Sequence, residues 1–308
     1  MSSLGPICAF ISSVTWAIGA GQFSRLSLSY SPFTINFTRA TIALPLFLLT
    51  VIITAGGLGP AADALSALRP EHWGWFTLSM FSSYGFGDAL FLWSTQSLGV
   101  PGALAIASCY PLWTALAGFV IDGQALSLSQ IAGLLITLGG VTTVILSEPK
   151  KGVNLADPEH PRATGMASGN RGRGVLLATL TSIFWACNGF ALSHGGRGVP
   201  AAVCNTARMM IALVISLAMG RWLARRSPVI VPARELKRRG WVFALEGFGG
   251  SYFFMYGLAN SPLAMGTTLT SLAPVISVPV SVALGLERFS IRRTLGILAV
   301  VLGLYLLV

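Results

Sequence analysis

The sequence predicts an all-α integral membrane protein of ten transmembrane helices, arranged as two five-helix repeats of inverted topology. Three observations predict it. Of 308 residues, 54% are hydrophobic and only 10% are charged, with a mean hydropathy of +0.73. A water-soluble domain carries roughly 25% charged residues to cover its surface, so a chain this poor in charge must face lipid over most of its area. The apolar residues also fall into ten runs, each near the roughly 20 residues that cross a bilayer core of about 30 Å. Finally, the two halves of the chain repeat.

The runs are 4–24, 32–54, 73–95, 100–120, 128–147, 173–193, 200–220, 239–259, 262–285 and 291–308. Gly and Pro occur within them, which is tolerated where neighbouring helices satisfy the freed backbone. The first run has no basic segment before it and reads as a retained span rather than a cleaved signal. The stretch from Ser147 to Gly172 is rich in Pro, Gly and charge and nearly free of bulky apolar residues. It divides the chain into a first repeat (1–147), a polar linker (148–172) and a second repeat (173–308).

The repeat is legible in two constant offsets. Ser13-Val14-Thr15-Trp16-Ala17 aligns with Ser182-Ile183-Phe184-Trp185-Ala186, and Asn36-Phe37-Thr38-Arg39 with Asn205-Thr206-Ala207-Arg208, both at 169 residues. After a shorter loop the offset becomes 163, pairing Ser108 with Ser271, Pro111 with Pro274, Ser127 with Ser290, Gly133 with Gly296 and Gly140 with Gly303. Five spans is an odd number, so the second repeat must enter the membrane from the opposite side. Inverted repeats of this kind are the frame on which many secondary transporters alternate access to a site near the midplane.

The net charge of +10 would suggest nucleic acid in a soluble protein, but its placement excludes that partner. All but four of the 20 Lys and Arg residues fall on one side of the predicted topology; Arg69 and Arg197 lie on the other, and Arg39 and Arg208 lie within spans. Basic loops mark the cytoplasmic face, which places both termini outside. The partners expected are a small-molecule substrate and the lipid bilayer, and with both repeats in one chain a monomer suffices. Cys8, Cys109, Cys187 and Cys204 sit in apolar runs without metal-ligand spacing, and His72, His160 and His194 are scattered. No cofactor, metal or nucleotide-binding motif is expected, and no catalytic constellation is present.

A Trp in the first and sixth spans, an Arg early in the second and seventh, a Pro in the fourth and ninth, and Leu284-Gly285-Leu286-Glu287 followed by Gly296 and Gly303 together resemble the drug/metabolite transporter superfamily, with an EamA-type signature. Within it the chain is most similar to bacterial exporters of aromatic and other neutral amino acids. The resemblance implies an exporter in the bacterial inner membrane. The first repeat departs from the signature at Gln124, where the second has Glu287.

Several residues suit a substrate pathway. Asp88 is an intramembrane carboxylate, costly unless functional or paired; it shares a helical face with Tyr84 and Phe91, and either binds a substrate ammonium or pairs with Arg39. Trp16 and Trp185 lie mid-span rather than at the interfaces, with Asn188 on the face of Trp185, and read as cavity walls. Tyr252 and Tyr256 form a second aromatic pair. Ser108, Thr267 and Ser271 sit one turn or two before the repeated prolines, which free carbonyls a substrate amine would use. Counting from span ends places no intramembrane cation at the depth of Glu246, so Glu246 is read as a proton-coupling candidate or as a partner of the basic loop near Arg239. Arg39 and Arg208, related by the repeat, are read as structural, with contact to a substrate carboxylate as the lesser alternative; Pro111 and Pro274 are read as structural. Gly133 and Gly140, like Gly296 and Gly303, are seven apart on one face and read as close helix contacts. The expected function is a secondary transporter exporting aromatic and other neutral amino acids, the alternative being proton-coupled efflux of drugs or other metabolites; a lipid-modifying enzyme would want polar residues clustered at one interface.

Overall fold

The computed structural model describes residues 4–110, 112–113, 127–147, 170–260, 269–286 and 288–307. The chain opens with α1 (Leu4–Leu26) and α2 (Pro32–Ala55). Ser31 caps α2 by accepting from the Thr34 amide, Pro32 follows at the first helical position, and Gly56 closes the helix at φ 82°. A short surface helix, α3 (Leu58–Ser66), fills the next loop and is absent from the sequence reading. Next come α4 (Pro70–Met80), a π-helical turn (Phe81–Gly87) and α5 (Asp88–Ala107).

These 38 residues would make a rod of about 57 Å, nearly twice the bilayer core. Gly99, at φ 68° and ψ 168°, breaks the rod, a backbone state that a side chain would strain. The third and fourth spans meet there. Arg293, assigned to a basic loop by the sequence reading, is instead 4% exposed and donates to the Leu98 carbonyl at this break. Helix geometry at the break leaves that carbonyl without its usual partner, which is why a buried guanidinium has something to hold.

The remaining elements are α6 (Leu128–Leu146), α7 (Arg171–Gly195), α8 (Ala201–Leu223), α9 (Ala233–Val242), a second π-helical turn (Phe243–Gly250), α10 (Ser251–Ala259), α11 (Ala273–Ala283) and α12 (Ile291–Leu307). Among the described residues, six helices are long and apolar enough to cross a membrane. The outward faces of α6 and α12 carry Leu135, Leu298 and Leu302, all exposed, while Asn36, Arg39, Asp88, Asn205, Arg208 and Glu246 are buried in the bundle. That is the arrangement of a chain whose solvent is lipid.

The inversion is visible in how repeat partners cross. A Cβ on Gly133 would lie 2.6 Å from the Gly303 carbonyl oxygen, and one on Gly140 would lie 2.7 Å from that of Gly296. An early residue of α6 therefore meets a late residue of α12 and the converse, so the two helices run antiparallel. In the same way Phe33 at the start of α2 packs with Met219 at the end of α8, and Phe47 with Met209 and Ala212. Elements related by the repeat also exchange neighbours: α1 packs on α10 and α11, as α7 packs on α4 and α5. Two five-helix units, one upside down to the other, are thus locked through their glycine faces.

Candidate functional site

Both third-position spans of the repeats carry their π-helical turn at the same tripeptide, Gly85-Phe86-Gly87 and Gly247-Phe248-Gly249. A π turn inserts one residue into the ladder and re-aims the side chains beside it. In the first repeat it frees the Tyr84 carbonyl, which accepts from Asn36 Nδ2 at 2.9 Å, and it sets Asp88 facing inward. The second holds Glu246. Small backbone is needed opposite: a Cβ on Gly19 of α1 would lie 2.6 Å from Glu246 Cγ.

Arg39 joins the two acids. Its Nη1 donates to Asp88 Oδ2 at 2.5 Å and to Asn36 Oδ1 at 2.9 Å. Its Nη2 donates to Glu246 Oε1 at 2.7 Å, and Nε lies 2.7 Å from Oε2, an ion pair held by one charge-assisted hydrogen bond. The guanidinium also lies 4.5 Å from the Tyr84 ring centroid, 5.1 Å from that of Phe23 and 5.5 Å from that of Trp16, so three electron-rich faces complete its shell. The expectation that no cation shares Glu246's depth is therefore wrong. Arg39 is seven residues into α2 and Glu246 is equally far from the basic face, so both acids reach the same guanidinium. The basic-loop alternative also fails, because Arg239 pairs instead with Glu235 at 2.7 Å.

A cavity of about 160 Å³ opens beside this triad, between elements of both repeats. Trp16, Tyr84, Asp88, Ser108, Trp185 and Asn188, six of the residues expected along a substrate pathway, line it, joined by Glu246, Arg39 and Arg208. Trp16 and Trp185, equivalent in the repeat, meet edge to face at 5.6 Å, and Trp185 Nε1 donates to Asp88 Oδ1 at 3.2 Å. Asn188 is steadied by Ser79, whose hydroxyl donates to its Oδ1 at 2.6 Å. Opposite them, the Tyr110 and Thr270 hydroxyls lie 3.3 Å apart.

Four predicted positions lie elsewhere. Phe91 is fully buried behind the cavity, packed on Trp16 and Trp185 at 5.7 and 5.5 Å. Tyr252 and Tyr256 stack on each other at 6.2 Å and do not line the space; Phe254, on the opposite face of α10, does. Ser271 is buried off the cavity while its neighbours Thr270 and Ala273 line it. Pro274 sits in the first turn of α11, and Pro111, Thr267 and Glu287 fall outside the described residues. The sequence reading missed Ser12, Ser13, Ser83 and Ser251. A signal existed for the first two, since Ser12 and Ser13 precede Trp16 by one helical turn on its own face.

Arg208 stands apart. It repeats the setting of Arg39, donating through Nη1 to Asn205 Oδ1 at 2.8 Å, and it is 5% exposed. Among the described residues it has no carboxylate partner, and its Nε has no acceptor.

Comparison with known proteins agrees with this architecture. An uncharacterized transporter of Archaeoglobus fulgidus is 22% identical over 305 residues, covering 98% of this chain and 96% of its own. A solved crystal structure superposes on 99% of this chain and 96% of its own with a TM-score of 0.61 at 17% identity, a likeness of fold. The EamA-like transporter family matches residues 3–146 and 172–308, one match for each repeat. A duplicated, inverted bundle around a charged internal cavity, matched by that family over nearly its whole length, belongs to the EamA-like transporter family and is a multi-pass membrane transporter.

Proposed function

We propose that the protein exports small zwitterionic metabolites, foremost aromatic and other neutral amino acids, from the cytoplasm across a bacterial inner membrane by alternating access between its repeats. The charge balance of the cavity carries the reading. Asp88, Glu246, Arg39 and Arg208 line one aromatic-walled space, so its formal charge sums to zero, with Arg39 spent on both acids. A lipophilic cation would leave Arg208 unanswered, and an uncharged drug would answer neither excess. A zwitterion brings one charge of each sign.

Size points the same way. A cavity of about 150 Å³ holds a benzene ring, so 160 Å³ suits one ring rather than a bulky drug. Trp16 and Trp185 offer the ring its faces. A second reading, proton-coupled efflux, draws on the sharing of Arg39: protonating Glu246 leaves Asp88 still paired, so one proton can enter without stranding a charge. Counterflow of labelled phenylalanine, tryptophan and threonine into proteoliposomes tests the substrate class. Saturable exchange of phenylalanine and tryptophan is expected, and no saturable flux of any of the three would sink the amino-acid reading.

A further inference from the structure

We infer that Arg208 is the receptor for the substrate's carboxylate, so that the cavity selects α-amino acids over amines of the same shape; the inference rests on the amino-acid reading above. Arg208 sits seven residues into α8, in the bilayer interior, with 5% exposure. A guanidinium there is costly unless its charge and donors are answered. Asn205 answers one donor, no carboxylate does so among the described residues, and Nε has no acceptor. The side chain lines the cavity.

A second orphan lies close to the same space. The Tyr84 hydroxyl is buried without a hydrogen-bond partner, and other atoms of Tyr84 line the cavity. Its ring packs in one apolar cluster with Met209, the residue after Arg208, so the helices that carry the two donors are packed together. A carboxylate, with two oxygens and several lone pairs to fill, is what a guanidinium without a carboxylate partner fits, and an unpartnered phenol hydroxyl on a packed neighbouring element offers it a second donor.

The repeat supplies the control. Arg39 has the same Asn three residues before it and the same kind of bond to it, but its two terminal nitrogens donate to Asp88 and Glu246 and its Nε lies 2.7 Å from Glu246 Oε2, so what separates the two arginines is the carboxylates and not the Nε, which makes no hydrogen bond in either. It cannot receive a substrate carboxylate without releasing an acid. The triad therefore carries one net negative charge and attracts the ammonium, while Arg208 takes the other end. Substrate orientation follows: carboxylate to Arg208 and Tyr84, ammonium to Asp88 and Glu246, ring beside Trp16 and Trp185.

The test is the ratio of affinities for phenylalanine and phenethylamine, which differ only in the carboxylate, measured by calorimetry on the purified full chain. In the natural protein phenylalanine should bind about 10- to 100-fold tighter, the range for a charge-assisted hydrogen bond. In Arg208→Gln the ratio should fall toward one, chiefly by loss of phenylalanine binding, and phenethylamine binding reports that the cavity is intact. Should that variant fail to fold, Arg208→Lys keeps the charge without the fork, and an intermediate ratio is expected. A ratio near one in the natural protein, or an unchanged ratio in the variant, overturns the inference. Binding of 3-phenylpropionate but of no amino acid would sink the amino-acid reading while leaving Arg208 as the carboxylate receptor; equal binding of phenylalanine and phenethylamine would do the reverse.

Discussion

Arg39 and Arg208 occupy the same place in two copies of one repeat, each held by an Asn three residues earlier, yet the first is saturated with carboxylates and the second meets none among the described residues. Duplication reproduced the scaffold, and the chemistry then diverged on it. Asp88 lies just past its π turn and Glu246 inside the other, so both acids turn toward one arginine. The protein thus carries, in one cavity, a charge centre that already holds two carboxylates and an arginine that holds none among the described residues. A perfectly symmetric cavity would bind a ligand equally in two opposite poses; this one polarises it.

The sharpest way to break that comparison is to remove each arginine in turn. Arg39→Leu strands two buried acids and should cost about 3–5 kcal/mol, read as lost monodisperse yield or a collapsed melting transition in detergent. Arg208→Leu breaks no ion pair among the described residues and should stay within about 1 kcal/mol of the natural protein, since an apolar replacement for buried charge is often neutral, while losing phenylalanine binding. Equal destabilisation by both would mean that Arg208 is structural after all.

The glycine seam comes next. Gly140→Leu would drive a side chain into the Gly296 carbonyl and Val300 and should cost about 1–3 kcal/mol in thermal stability; an unchanged melt would show that the repeats are not pinned there. Glu246→Gln keeps an acceptor for Arg39 but cannot release a proton. It should abolish pH-driven accumulation in proteoliposomes while exchange persists, and intact accumulation would remove Glu246 from coupling. Trp185→Phe keeps an aromatic face beside Trp16 but deletes the donor to Asp88, which should cost about 1 kcal/mol of stability by thermal melt. The smallest effect belongs to Tyr256→Phe, off the cavity, where stability should move by no more than about 0.5 kcal/mol and phenylalanine affinity should not change measurably; a clear loss would redraw the cavity's wall.

Much of the fold was legible because lipid imposes simple lengths. Twenty apolar residues mark a span whatever they pack against, and the two offsets linking Trp16 to Trp185 and Gly140 to Gly303 revealed the duplication. The Arg39–Asp88 pair was one of two readings the residues allowed. The bond from Arg39 to Glu246 was not foreseen, because the two lie 207 residues apart and only packing α2 against the second π turn unites them. The π turns themselves break the 3.6-residue period. Their one sequence trace, the shared Gly-Phe-Gly, passed as ordinary glycine content. Ser12 and Ser13 went unnoticed because a hydroxyl in an apolar run usually bonds its own helix, as Ser13 does to the Phe10 carbonyl at 2.7 Å.

A structure determined with phenylalanine bound tests the central claim most directly. The account places the ligand's carboxylate within hydrogen-bond distance of the Arg208 guanidinium, with its ammonium toward Asp88 and Glu246 and the Arg39 bridge still closed. Phenylalanine seated with its carboxylate on Arg39, or anywhere outside the space between the two repeats, would contradict it.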